Sequence, residues 1–433
     1  MLTVVALHTP VLPPREVTAL VKGGVLLLVL WRTIARRLRP SRAIVLLLVA
    51  WVPLTALEAG ARWQERQLPK ACEGARVALD GYTRGLPRRY ARGEGSLWRV
   101  EVEVAHVRPT RCAGPRRVRL YIDSASTRFL DGTGNAEAAP WGIDGPQAGT
   151  RLRGEARLRR PWGQVNPGAR TGERRFLGDG LHAVGSLRTL QSVTARSTAV
   201  SAVRDRLRGR LSQWIRDSAP PATAGLLAAL AVGDQRFMDE AAWTRLRVFG
   251  LTHLLVISGM HISLAALPGW WLGGAVVRLL GVREVTARLL PPLLALAGSG
   301  FYAALAGFSL PTRRALLMLA LLAVPRLLGR RTRLAATLAA AVVLLLLLDP
   351  LAVLGASFWL SVGAVGLLGW YLAWRPRQRG PGRLVGTQLF LIAAMAPLGL
   401  LAFGSASTLG ALCNLLAIPL VSLWTTPLLL ASL

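Results

Sequence analysis

The stretch Gly250-Leu-Thr-His-Leu-Leu-Val-Ile-Ser-Gly-Met-His-Ile-Ser263 decides how the rest of the chain is read. It opens a run of apolar residues long enough to cross a bilayer, yet His253, Ser258 and His261 lie within it. Polar side chains are costly in hydrocarbon, so these three are expected to face the interior of a helix bundle or a water-filled path. Gly259, beside Ser258, permits a kink or a broken helix, which lipid tolerates only where the break lines protein or water. A blander reading makes both histidines neutral and hydrogen-bonded between helices. A metal pair fits poorly, because eight residues' separation does not align the two rings on one helical face and no third ligand is near.

Working outward, apolar runs cover 251–279, 286–310, 314–325, 334–348, 351–374, 384–403 and 409–433. The breaks between them alternate in charge. Three are basic: Arg278, Arg283 and Arg288; then Arg326, Arg330, Arg331 and Arg333; then Arg375, Arg377, Arg379 and Arg383. Short loops rich in arginine stay in the cytoplasm, so the turns near 310, at Asp349-Pro350 and at 404–407 face away from it. Near the N-terminus, apolar runs at 17–31 and 43–57 flank Arg32, Arg36, Arg37, Arg39 and Arg42, which makes a hairpin with its turn inside. A cleaved signal peptide is disfavoured there, since no small-residue cleavage site is present and a second run follows.

These runs predict a polytopic α-helical membrane protein of about nine spans, with residues 60–250 outside the cytoplasm. The expected division is an N-terminal transmembrane hairpin (1–59), an extracytoplasmic domain (60–200), amphipathic connecting helices (201–250) and a membrane domain (251–433). A single soluble enzyme is excluded. So is a disordered basic tail: the formal net charge is +31, but 52% of the residues are apolar and must be buried. Nearly all the cations are arginine, Lys22 and Lys70 being the two lysines.

Residues 60–220 are polar, turn-rich and patterned with a period of two. Trp98, Val100, Val102 and Val104 alternate with Arg99, Glu101 and Glu103. Val118, Leu120 and Ile122 repeat the pattern, as do Leu152, Gly154, Ala156 and Leu158. With candidates near Val77–Leu79 and Val184–Leu190, about five half-buried antiparallel strands are expected, forming a small barrel or sandwich. Strand count alone does not distinguish a five-stranded OB-like barrel from the others. The segment holds 30 arginines and lysines against 15 acidic residues. Such a surface suits a polyanion, since neutralising phosphates releases counterions; a merely solvated basic surface is the alternative. No aromatic platform is evident, because Tyr82, Tyr90, Trp98, Tyr121, Phe129, Trp141, Trp162 and Phe176 are scattered. Cys72 and Cys112 both fall in this segment, where they are read either as a disulfide clamp or as two free thiols. Cys413 reads as a small packing residue in a span.

Lys22 is followed by Gly and Lys70 by Ala, so neither ends a phosphate-binding loop of the ATP motors. Five histidines supply no dense cluster for a two-metal hydrolase, and no cofactor is expected.

Several motifs together resemble the ComEC family of competence proteins. They are Leu226-Leu-Ala-Ala-Leu-Ala-Val-Gly-Asp234, with Gly233 and Asp234 at its end, and Phe249-Gly-Leu-Thr-His-Leu-Leu-Val-Ile-Ser-Gly-Met-His261, which contains Gly250. Gly307-Phe-Ser-Leu-Pro-Thr-Arg-Arg-Ala-Leu-Leu-Met318, Asp349-Pro-Leu-Ala-Val-Leu-Gly-Ala-Ser-Phe-Trp-Leu-Ser361 and Asn414-Leu-Leu-Ala-Ile-Pro-Leu420 follow in order. Asn166-Pro-Gly168 matches the end of that family's outer OB-like domain. The resemblance implies a bacterial cytoplasmic-membrane channel that passes one strand of DNA inward during natural transformation, without sequence preference. It also implies partners: other competence proteins, a cytoplasmic motor among them, and further copies of the chain. Many members carry a C-terminal metallo-β-lactamase-like domain, whereas this sequence stops at Leu433 inside an apparent span. It is therefore expected to be either a piece of a longer protein or a reduced form.

Within that resemblance, Arg313 and Arg314 begin a span at its outer end, against the usual preference for arginine inside. With Ser309 and Thr312 at a Pro311 break, they are expected to meet phosphates entering a wet path, the alternative being that both snorkel to headgroups. Asn414, followed by Pro419, is expected to hydrogen-bond between helices. Asp234 is expected to face outward water. Two other functions remain open on the residues alone: an intramembrane hydrolase using His253, Ser258 and His261, and a small-anion transporter.

Overall fold

The period-two segments become a closed barrel. In the computed structural model, which describes residues 15–34, 40–92, 95–124, 127–130, 136–137, 145–161, 172–192, 197–255, 257–281, 284–327, 334–374, 380–403 and 410–432, the chain divides into two units. One holds residues 1–206 and 343–355, the other 207–342 and 356–433. Trp141, Trp162, Asn166-Pro-Gly168, Arg36, Arg37, Arg39, Arg283, Arg330, Arg331, Arg333, Arg375, Arg377, Arg379 and the turn at 404–407 lie outside the described residues.

The first unit begins with α1 (Arg15–Ile34) and α2 (Pro40–Glu65), which pack as a hairpin. Lys22 of α1 pairs with Glu58 of α2 and lies over the Trp51 ring. The barrel follows: β1 (Arg76–Arg92), β2 (Gly95–Arg108), β3 (Arg117–Asp123), β4 (Arg128–Leu130), β5 (Ala136–Glu137), β6 (Arg151–Arg159) and β7 (Ala183–Ser192), with α3 (Gly172–Asp179) between β6 and β7. The strand order is β3-β2-β1-β6-β7, and a parallel β3–β7 pairing closes the ring, with Val118 opposite Ala183. Five strands in that order, antiparallel except at the closure, make an OB-like barrel. The short β4–β5 hairpin and α3 were not expected from the sequence, since neither is long enough to show a period.

Closure follows from the alternation. Along β6 every second residue is buried, so Leu152, Ala156 and Leu158 enter the core while Arg153, Arg157 and Arg159 stay out. Val100, Val118, Leu120 and Ile122 are likewise fully buried beside Trp98 and Phe129. Gly154 occupies an inward position because a Cβ there would lie 2.1 Å from the Thr189 carbonyl of β7. Cys72 and Cys112, each in a short 3₁₀ turn, are joined by a disulfide within this core.

His182, just before β7, is 6% exposed; its Nδ1 accepts the Arg117 N–H. Burial, with the Arg66 cation nearby, lowers its pKa from 6.5 to about 4. As pH falls from 6.5 towards 4, the unfolded chain takes up a proton that the folded ring refuses, so the native state loses about 2–3 kcal/mol over that window. Melting curves at pH 7 and pH 4.5 check this. A His182→Asn variant, although weaker at pH 7, should change less between the two. Asp80 acts in the same direction at lower pH: Arg151, and then Arg153, hold its carboxyl below the usual range despite burial, so its contribution persists until pH falls below 3.8.

The second unit is helical: the later turns of α4 (Val200–Ser218), α5 (Pro221–Val232), α6 (Glu240–Val248), α7 (Gly259–Leu280), α8 (Glu284–Leu305), α9 (Leu310–Leu327), the first part of α10 (Leu334–Leu348), α11 (Ala356–Trp374), α12 (Pro381–Phe403), α13 (Gly410–Pro419), a π turn at Leu420–Thr425 and α14 (Thr426–Ser432). Among the described residues, three helices are long and apolar enough to cross a membrane: Gly259–Leu280, Val285–Leu305 and Ala356–Trp374. Pro221–Val232, Ala335–Leu348, Val385–Leu401 and Cys413–Leu429 are apolar but shorter. The expected run at 251–279 is corrected, since its first residues form the 3₁₀ turn Thr252–Leu254 and the helix starts at Gly259. The expected 314–325 run is also longer, because Pro311 sits in the first turn of α9, where proline needs no N–H partner, and so does not break it.

Candidate functional site

The motif Val232-Gly-Asp234 is built around three polar side chains from one face of α4, four residues apart. Gly233 ends α5 in the left-handed conformation at φ 69°, and its N–H donates back to the Ala229 carbonyl. Arg208, 8% exposed, donates Nε to the Leu305 carbonyl at 2.8 Å and Nη2 to the Val232 carbonyl at 2.9 Å. One buried guanidinium thus binds the C-termini of α5 and α8, where the helix dipoles favour a cation. Gly307 is required beside it: its φ is 76°, and a Cβ would lie 2.3 Å from Arg208 Nη1. Tyr302 of α8 donates its hydroxyl to the Leu230 carbonyl at 2.9 Å.

Asp234 is 2% exposed, so its expected contact with outward water is corrected. Its carboxylate accepts from Arg236 at Nε (2.9 Å) and Nη2 (2.7 Å) and from the Ser212 hydroxyl at 2.6 Å. Arg216, one turn after Ser212, lies 3.8 Å over the Phe237 ring. A buried carboxylate is tolerable because a partner two residues along satisfies it.

The second motif packs against this one. Ile257 and Ile262 join Tyr302, Ala303 and Ala306 in a core that Phe308, Ala315 and Leu316 of the next motif complete. A Cβ at Gly259 would lie 3.5 Å from Ala315, so the start of α7 abuts α9. Ser258 precedes the first turn of α7, and its N–H donates to His261 Nδ1 at 3.1 Å. His261 is 1% exposed, and its Nε2 has no hydrogen-bond partner among the described residues. The Ser258 hydroxyl is 3.2 Å from the same Nδ1. That contact resembles a nucleophile and base, but the backbone N–H already occupies the Nδ1 lone pair and, among the described residues, no carboxylate bonds to the ring, which argues against the hydrolase reading. His253 is exposed in its 3₁₀ turn. Gly250, at φ 65°, makes the turn out of α6.

Arg313 and Arg314 part company. Arg314 is 4% exposed and donates Nη2 to the Ser357 carbonyl of α11 at 2.8 Å, while Arg313 is exposed. Consecutive helical residues stand about 100° apart, so the two side chains leave α9 in different directions. Thr312 donates to the Ser309 carbonyl at 2.8 Å, and the Ser309 hydroxyl donates to Thr312 Oγ1 at 3.2 Å, which closes the N-terminus of α9. Asn414 Oδ1 in α13 is buried with no partner among the described residues, so the interhelical bond expected of it is absent at that atom. Pro419 ends α13 before the π turn. Asp349 and Pro350 open the 3₁₀ turn Pro350–Leu354 in the other unit, where it packs on α2 and α3.

Arg208, Ser212, Arg236, Tyr302 and Ser357 were missed. The spacing of Arg208, Ser212 and Arg216 at every fourth residue on a helix was the available signal.

The class these features define is a helical membrane protein bearing an OB-like barrel. Residues 230–433 match the family model for the competence protein domain. The chain is 34% identical over 321 residues to Competence protein ComA of Neisseria gonorrhoeae, covering 72% of this chain and 45% of that one. It is 31% identical over 298 residues to Recombination protein 2 of Haemophilus influenzae, covering 66% and 37% respectively, and 30% identical over 155 residues to ComE operon protein 3 of Bacillus subtilis, covering 36% and 19%. It belongs to the ComEC-type competence-protein family. The chain spans less than half the length of these relatives. No solved structure matches it.

Proposed function

We propose that this chain is a channel component of the bacterial cytoplasmic membrane that moves single-stranded DNA inward during natural transformation. The observation that carries the reading is the match of residues 230–433 to the competence family, in a chain that also holds a basic OB-like barrel. The division proposed is a transmembrane hairpin at 1–59, an extracytoplasmic domain at 60–200, connecting helices at 201–250 and a membrane channel domain at 251–433, multi-pass in the bilayer. Its role is translocation, not catalysis. The strand is held without sequence preference, through phosphates and stacked bases. Other competence proteins, a cytoplasmic motor and further copies of this chain are the proposed partners.

Deleting the gene in a transformable host tests this. DNA should still bind the cell surface while no protected strand reaches the cytoplasm; unchanged internalisation would end the proposal. The arginine pair divides the labour. Arg313→Gln should reduce uptake with membrane insertion and melting unchanged, because that side chain is free to meet phosphates at the outer end of α9. Arg314→Gln should lower stability by about 1.5–3 kcal/mol through loss of its charged hydrogen bond to Ser357. Uptake assays paired with thermal melts separate the two.

A further inference from the structure

We propose that a cleft on the outer wall of the barrel, between β6, β7 and α3, seats a short single-stranded segment of the incoming DNA. Arg157, Arg159, Arg160 and Arg188 would hold phosphates there, and Tyr121 and Phe176 would offer rings to unstacked bases. This rests on the reading that the chain handles DNA and names where its outer domain does so.

The cleft has a volume of about 700 Å³. Four arginines line it against one acidic residue, Glu73. Arg157 donates Nε to the Gly74 carbonyl at 2.8 Å and Arg160 donates Nε to the Leu68 carbonyl at 2.7 Å, which fixes both guanidinium planes without neutralising them. Arg159 and Arg188 are exposed. Four of the barrel's other acids are engaged elsewhere: Asp80 with Arg151 and Arg153, Glu103 with Arg84, Glu101 and Asp179 with Arg119. The lining of the cleft therefore carries a surplus of positive charge, four arginines to one acid. Burial works against the Arg119 cation, but Glu101 and Asp179 outweigh it. Arg119 lies 5.7 Å from the Phe176 ring, so it anchors that ring and α3 while its own charge is matched.

An OB fold usually binds nucleic acid on the face of its second and third strands. Here that face carries Glu101 and Glu103, held in ion pairs with Arg119 and Arg84. The β6–β7 wall sets four arginines beside two aromatic rings, Phe176 of α3 and Tyr121 of β3, which pairs with Ser186 of β7. Rings stack only on bases that are not already stacked in a duplex, so the occupant is a single strand.

The test uses the full chain in lipid nanodiscs and a fluorescent 15-nucleotide oligothymidine, titrated at several salt concentrations. Arg159→Gln combined with Arg188→Gln should weaken binding roughly tenfold and reduce the salt slope by about 1.4, two phosphate contacts on a single strand. Tyr121→Ala should weaken single-strand binding roughly tenfold and leave binding of a duplex of equal length nearly unchanged. Arg84→Gln removes a charge outside the cleft and should leave both within about twofold. Wild-type affinity and slope in the double arginine variant, with wild-type binding intact, would overturn the cleft assignment alone. So would equal losses for single strand and duplex in Tyr121→Ala, or binding that competes with anionic-lipid vesicles but not with unlabelled single strand. If the wild-type chain binds no oligothymidine, the proposed DNA role of the outer domain falls with it. Melting of each variant, together with an intact Cys72–Cys112 bond, separates lost binding from lost folding.

Discussion

Asp234→Ala is expected to destabilise the helical unit by about 3–5 kcal/mol, because it leaves the Arg236 guanidinium and the Ser212 hydroxyl without the carboxylate that satisfies them. The Arg236 side chain is 11% exposed, so water does not readily replace the lost partner. Asp234→Asn should cost less, since the amide oxygen still accepts one hydrogen bond while its NH₂ faces a cation. Ser212→Ala should cost about 0.5–1.5 kcal/mol, the range for one ordinary hydrogen bond. The order Ala worse than Asn, and Asn worse than the Ser212 change, is read from melting in detergent or from resistance to proteolysis. An equal and small effect of all three would mean that the motif is not held together at Asp234. The loss should extend to uptake, because the same turn packs against the Arg208 clamp that ties α5 to α8.

Removal of the Cys72–Cys112 bond has the second large effect. The bond joins residues 40 apart in sequence, and closing a loop of that size restricts the unfolded chain by about 4 kcal/mol in the chain-entropy picture. Both sulfurs are buried with the barrel core. Cys72→Ser with Cys112→Ser should therefore lower barrel stability by about 2–4 kcal/mol, seen as earlier proteolysis of residues 60–200 and as a lower melting temperature. Reductant should reproduce the effect in the wild-type chain and do nothing to the double variant. Cys413 lies outside this core, so Cys413→Ala should leave the barrel unaffected.

The barrel was legible in the sequence wherever a strand was long enough to alternate. β2, β3 and β6 each place successive side chains on opposite faces, and the inward residues are the apolar ones. β4 and β5 are too short for any period, and α3 is only eight residues long with half of them charged, so neither left a pattern. In the helical unit, hydropathy anticipated the three helices long and apolar enough to cross a membrane among the described residues, but not the start of the first. Leu251, Leu254 and Leu255 are as apolar as the helix that follows, while the chain turns at Gly250 and starts α7 at Gly259, after an extended Ser258, for reasons of backbone conformation. Of the candidate residues, His253, Ser258 and His261 were singled out by their cost in lipid; Ser258 and His261 meet, while His253 is exposed. Asp234 was misjudged because a lone acid reads as solvated, and its partner Arg236 does not mark itself as such. Arg313 and Arg314 were treated as a pair although adjacent positions on a helix face different ways, and only the contact with Ser357 tells which of them points inward.

Site-specific photocrosslinking during uptake tests the central claim most directly. A photoreactive phenylalanine is introduced at Ser186, which lines the barrel cleft, and separately at exposed Arg313 in the first turn of α9. Labelled DNA is then supplied to transformable cells. If this chain conducts the incoming strand, both positions capture it, the product is single-stranded at Arg313, and capture ceases when unlabelled DNA displaces the labelled strand. Cells that transform normally while neither position ever captures DNA would contradict the account.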